Sequence, residues 1–248
     1  MVDLVFGDPT LFDVIMAAMT GILGGVVLAI AYAWSEKGVA KWKPRKIVHI
    51  SMGTIIALTV MHYSNLSGPF LAAGIFLTIL LYAWAHKSTL ITELLLAGSR
   101  EEDQYLGTFA AGFMGMVSFA SVFIIFFQQP EIIVASILAV SWGDAAGEVI
   151  GRPYGGRIIK KQIRGKSFEG TIGVFIFSCL SVIMAMLTFS SGLSPLSILP
   201  QIMLVASVIT VVELLSVAWA DNFLIPILTA IMMWQVVFPT TAFWFLMF

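Results

Sequence analysis

The chain has 248 residues, 59% of them hydrophobic and 11% charged, with a mean hydropathy of +0.99. That excludes an ordinary soluble domain, in which about 25% of residues carry charge, and makes lipid the expected solvent. The net charge of −1 gives no reason to expect a nucleic-acid partner, and the single cysteine, Cys179, excludes an internal disulfide and a Cys-based metal site.

Asp3, Asp8 and Asp13 precede the first cation, Lys37, which argues against a cleaved signal or transit peptide. Apolar runs between charge clusters and Gly/Pro breaks then predict eight spans, at 13–34, 47–63, 69–85, 107–127, 132–150, 171–189, 199–220 and 223–245. The connections at 35–46, 86–106 and 151–170 hold all 13 Lys and Arg, while those at 64–68, 128–131 and 190–200 hold none. The positive-inside rule makes the first three cytoplasmic and puts both termini outside. The expected fold is therefore an all-α, polytopic integral membrane protein of about eight transmembrane helices, seven to nine in all.

The first span carries small residues four apart, Ala17, Gly21, Gly25, Ala29 and Ala33, and the fourth repeats this at Gly107, Ala111 and Gly115. Such stripes let helices approach closely, here chiefly within the chain, though a homodimer seam is compatible with them. Arg45-Lys46-Ile47-Val48-His49 opens the second span; Arg45 and His49 lie one turn apart, with Lys46 adjacent. That suits a phosphate clamp, and equally a positive-inside anchor beside a packed histidine. In the loop before the fourth span, Arg100 could reach a substrate, whereas Glu101, Glu102 and Asp103 read as solvated.

The segment from Ser141 to Thr171, SWGDAAGEVIGRPYGGRIIKKQIRGKSFEGT, is the most unusual in the chain. Asp144 and Glu148 share a helical face within an apolar span, and ionisable groups there cost roughly 2.5–3.5 kcal/mol each, which usually marks a site. Two such acids can hold Mg²⁺, which takes one or two carboxylates together with phosphate oxygens and water. Gly151, Arg152, Gly155 and Gly156 follow, with glycines able to turn N–H groups toward an anion. Lys166, Ser167, Glu169, Gly170 and Thr171 then lead into the sixth span, where a helix N-terminus favours phosphate. Arg157, Lys160, Lys161 and Arg164 read as topological cations that attract anionic lipid. Gly165-Lys166-Ser167 is not the end of a Walker A loop, because Lys160 stands where that loop needs glycine and no strand precedes it. Glu213 within the seventh span, and Asp221-Asn222 ahead of Pro226, add oxygen ligands on the same side of the membrane as Asp144.

Together these segments resemble the polyprenol kinase family, which includes dolichol kinase, phytol kinase and the CTP-dependent diacylglycerol kinase. The resemblance rests on RKIVHIS at 45–51, SWGDAAGEVIGRPYG at 141–155, KSFEGTIG at 166–173, and Glu213, Asp221-Asn222 and Pro226, in family order. It implies a single transmembrane catalytic domain over residues 1–248 that moves a phosphoryl group, usually from CTP, to the hydroxyl of a lipid alcohol, with Mg²⁺. Asp144 would be a metal ligand or accept the hydroxyl proton. Glu148, Glu169, Glu213, Asp221 and Asn222 would be candidate metal or water ligands. Arg45, Lys46, Arg152 and Lys166 would hold phosphates, joined as nucleotide contacts by His49, Gly151, Gly155, Ser167, Gly170 and Thr171.

A polyprenol, dolichol or phytol acceptor is the main expectation and diacylglycerol the alternative. The setting would be a prokaryotic cell membrane, or the endoplasmic reticulum in a eukaryotic source. The Asp144 and Lys166–Gly170 segments are also similar to those of phosphatidate cytidylyltransferases. That class carries Lys-Asp and Gly-His-Gly-Gly near its C-terminus, whereas here no Lys or Arg follows Lys166 and no His follows His86. A transporter, the non-enzyme alternative, commonly shows matched halves, and no internal repeat is present.

Overall fold

The structure, a computed structural model, describes residues 7–87, 89–99, 105–156, 162–163, 165–189, 192, 194–216 and 220–240. Arg100, Glu101, Glu102, Asp103, Arg157, Lys160, Lys161 and Arg164 lie outside the described residues. The protein is an all-α membrane protein. Five helical stretches are long and apolar enough to cross a bilayer: Leu11–Glu36, Ser67–Ala85, Leu106–Phe126, Pro130–Tyr154 and Phe168–Phe189. The other three expected spans are helical too, α2 at Trp42–Thr59 and the shorter apolar helices at Leu199–Leu215 and Asp221–Val236. The chain divides into two compact units, Met1–Met116 and Val117–Phe248.

In the first unit α1 (Leu11–Glu36) packs on α2, α3 (Ser67–Ala85) and the short α4 (Leu90–Leu96). Thr10 caps α1 in a capping box with Asp13. The Asp13 carboxylate also accepts from the Ser64 N–H at 2.7 Å and the Ser64 hydroxyl at 2.6 Å. An acid at the edge of an apolar span is thus fully hydrogen-bonded, and it ties the start of α1 to the turn before α3. The small-residue stripe of α1 does not supply the packing expected of it. Gly21, Gly25, Ala29 and Ala33 are exposed, and the buried face is Asp13, Met16, Ala17, Gly24 and Ala31, with Gly24 facing the Met52 thioether. Gly24 and Ala31 lie off the spacing-four register, so the real seam is rotated from the stripe.

α5 (Leu106–Phe126) begins in the first unit and ends in the second, which continues through α6 (Pro130–Leu138), a π-helical turn (Ala139–Asp144) and α7 (Ala145–Tyr154). Pro130 starts α6 where a missing N–H costs nothing. Residues 131–140 are buried on every face, so this run is the core of its unit and not a lipid-facing helix. Against it lie α8 (Phe168–Phe189), which meets α6, the π turn and α7, and α10 (Asp221–Val236), which meets α6 and the π turn. α9 (Leu199–Leu215) packs on α8 and α10. The described non-helical pairing is a two-residue hairpin, β1 (Gln162–Ile163) against β2 (Lys166–Ser167), turned at Gly165 with φ +78°. The sequence reading had a plain loop here.

Candidate active site

Gly143, Gly147, Gly151 and Gly155 recur every four residues and form the face that α7 turns to α8. A β-carbon at Gly143 would sit 2.7 Å from the Ser178 hydroxyl, and one at Gly151 2.9 Å from the Ser167 hydroxyl. From the other side, a β-carbon at Gly170 would meet the Gly147 carbonyl at 2.5 Å. No side chain fits between the two backbones, so the glycines bring α7 and α8 to near contact. This seam also carries the helix to Tyr154, past the expected span end, leaving Asp144 about 15 Å from the C-terminal end of α7.

The seam changes what the glycine-rich segment does. The Gly155 N–H donates to the Gly151 carbonyl at 2.8 Å, and the Gly156 N–H donates to Glu169 Oε2 at 3.1 Å. Ser167 caps α8, its hydroxyl accepting from the Gly170 N–H at 3.2 Å, and the Thr171 hydroxyl donates to the Ser167 carbonyl at 3.1 Å. Gly151, Gly155, Ser167, Glu169, Gly170 and Thr171 are therefore brought together as the clasp between two helix ends. Glu169, buried in the first turn of α8, sits where a negative charge suits the helix dipole.

Asp144 closes the π turn and is 8% exposed. A π turn inserts one residue into a helix and re-aims those that follow, and such turns are frequent at functional sites. Three residues on, Gly147 lies on the same helical face. A β-carbon there would be 3.5 Å from Glu213 Oε1, so the Glu213 carboxylate from α9 lies against α7 one turn past Asp144. Lys166 comes to the same place from the hairpin. Its ammonium donates to Glu213 Oε1 at 2.7 Å and also to the Glu213 main-chain carbonyl. The structure thus brings two sequence-predicted residues, Lys166 and Glu213, from two elements onto the α7 face one turn past a third, Asp144.

The remaining candidates are placed differently. Glu148 and Arg152 form an i,i+4 ion pair at 2.7 Å with Arg152 more than half exposed, an arrangement worth a few tenths of a kcal/mol. Asp221 is buried at the start of α10 and accepts from the Asn222 N–H at 2.9 Å, while the Asn222 carbonyl accepts from Ser118. In the first unit, Arg45, Lys46 and His49 all lie on α2, which begins before the expected span. Lys46 is 4% exposed, a burial the sequence reading did not anticipate. Among the described residues no three His, Cys, Asp or Glu side chains gather as a metal-binding group. Among the described residues the acids would therefore suit Mg²⁺ through one or two carboxylates and not as an all-protein cage.

No protein-family model matches the chain, and no solved structure does. Among curated proteins it is 26% identical over 220 residues to CTP-dependent diacylglycerol kinase 1 of Eremothecium gossypii, covering 78% of this chain and 67% of that one. It is 27% identical over 231 residues to the chloroplastic phytol kinase 1 of Arabidopsis thaliana, covering 86% and 74%. With CTP-dependent diacylglycerol kinase 1 of Saccharomyces cerevisiae it shares 25% over 218 residues, 77% and 71% of the two chains. The chain is thus similar, at 25–27% identity over most of its length, to two kinds of lipid-alcohol kinase. What the sequence did not reveal is the role of the α7 glycine face. Its spacing of four is visible in the sequence, but two of its members, Gly151 and Gly155, read there as an anion cradle.

Proposed function

We propose that this protein is a CTP-dependent kinase that phosphorylates the hydroxyl of a membrane lipid alcohol at the cytoplasmic face. The observation that carries the reading is the Lys166–Glu213 pair lying against Gly147, one turn past the buried Asp144, in a chain similar to two kinds of lipid-alcohol kinase. Phosphoryl transfer asks a protein mainly to place donor and acceptor in line and to neutralise phosphate charge. Lys166 supplies the charge. Asp144 accepts the proton of the lipid hydroxyl or holds the metal. Mg²⁺, when bound, would supply positive charge that offsets that of the phosphates. On the first unit, Arg45, Lys46 and His49 are proposed phosphate contacts. An isoprenoid alcohol remains the main acceptor, and diacylglycerol stands beside it because two of the three relatives carry that substrate in their names.

Incubating membranes that contain the protein with Mg²⁺, a panel of lipid alcohols and CTP labelled at the α or the γ phosphate tests the reaction. Only γ label should enter the lipid phase. Entry of α label onto a lipid phosphate would make the protein a cytidylyltransferase and overturn the kinase reading; entry of neither would leave a non-enzyme.

We also propose eight spans with both termini outside, on the segregation of Lys and Arg. In a Cys179→Ser background, cysteines placed at Lys41, Arg100 and Lys161 should be labelled only from the cytoplasmic side. External labelling at Lys161 would reverse the orientation and remove the nucleotide site from the cytoplasm.

A further inference from the structure

We infer that Glu213 is the positioning residue for Lys166 and not a metal ligand, an assignment that rests on the kinase reading above. Lysine has four rotatable side-chain bonds, and an ammonium on so long a stem is a poorly aimed charge unless something fixes it. Here two acceptors of a single residue fix it. Lys166 donates one N–H to Glu213 Oε1 at 2.7 Å and another to the main-chain carbonyl of Glu213. An ammonium has three donors, so one N–H remains for a phosphate oxygen. The exposures are ordered to match, with the Glu213 side chain 8% exposed and that of Lys166 31%. The carboxylate is the buried anchor and the ammonium is the end that a ligand can reach.

The backbone supports the same division of labour. Glu213 lies in the last turn of α9, where the helix-end carbonyls carry partial negative charge and suit a cation. The Glu213 carbonyl also accepts from the Ser216 hydroxyl at 3.0 Å, which holds that turn. Lys166 stands on a two-residue strand whose turn glycine, Gly165, has φ +78°. The hairpin by itself would leave Lys166 mobile, and the tether to α9 sets its direction beside Asp144. A carboxylate already bound to an ammonium at 2.7 Å is a poor magnesium ligand, because binding the metal would set two cations against each other.

The test is a double-mutant cycle over wild type, Glu213→Gln, Lys166→Met and the double variant, reading equilibrium binding of labelled CTP with Mg²⁺, so that inactive variants still report. Glu213→Gln should weaken CTP binding about tenfold in the wild-type background and change it by less than about twofold in the Lys166→Met background. Glu213→Asp, which keeps the charge on a shorter stem, should fall between wild type and Glu213→Gln in the wild-type background. In turnover by Glu213→Gln, KM for CTP should rise, while KM for the lipid alcohol and the Mg²⁺ concentration for half-maximal rate stay within about twofold. A merely structural ion pair would not separate the two substrates in this way.

An equal loss in both backgrounds, or a Mg²⁺ requirement raised about tenfold or more, would make Glu213 a metal ligand and overturn the inference. Wild-type CTP binding by Glu213→Gln would overturn it equally. If the wild-type protein neither binds CTP nor transfers its γ phosphate, the kinase reading fails and this inference falls with it.

Discussion

Asp144→Asn is expected to lower turnover by about 10³-fold or more, on the order of 4 kcal/mol of transition-state stabilisation, while the protein remains inserted and folded. Asparagine keeps the shape and volume of the side chain, so the π turn at Ala139–Asp144 and the glycine seam beside it should be retained. What it loses is the negative charge, which neither a magnesium ion nor an incoming hydroxyl proton can do without. The readout is transfer of γ label from CTP per unit of folded protein, with insertion checked by membrane fractionation. A rate near wild type would make the buried acid structural and move the site elsewhere.

Lys166→Ala should have the next largest effect, a fall in kcat/KM for CTP of about 10²–10³-fold, roughly 2.7–4 kcal/mol. The ammonium is the described cation that reaches the Asp144 neighbourhood through the Glu213 tether. Charge on the transferring group is spread over its equatorial oxygens, so a fixed cation there strengthens as transfer proceeds. Alanine also removes the Lys166 ion pair from the buried Glu213, so a moderate loss of stability should accompany the loss of rate. Thermal unfolding of the purified protein separates the two effects. Arg157→Ala serves as the control: as a topological cation it should change the rate by less than about twofold. Equal losses from Arg157→Ala and Lys166→Ala would show that the loop acts through its summed charge and not through one aimed side chain.

Most of the architecture was legible in the sequence because membrane insertion is governed by local properties. An apolar run of sufficient length becomes a helix wherever it falls, since the lipid interior offers backbone groups no other partner. Each of the eight expected segments contains a described helix for that reason, and the motifs at Ser141–Thr171 and Glu213 stand out because charge is conspicuous in an apolar chain.

Pairing between distant segments was not legible. Nothing local distinguishes the exposed stripe Gly21, Gly25, Ala29, Ala33 from the packed one Gly143, Gly147, Gly151, Gly155, because both have spacing four and only the neighbouring helix decides which is used. The same holds for the acids. Composition and spacing put Asp144, Glu148 and Glu213 within expected spans, and Glu169 and Asp221 in the connections beside them. Tertiary structure decided that Glu148 is taken by Arg152 and Glu169 by the Gly156 N–H. It likewise gave Asp221 to the start of α10 and Glu213 to Lys166, 47 residues away in the chain. A carboxylate's role is set by whichever donors the fold brings within hydrogen-bonding distance of it, and sequence carries that only through the fold.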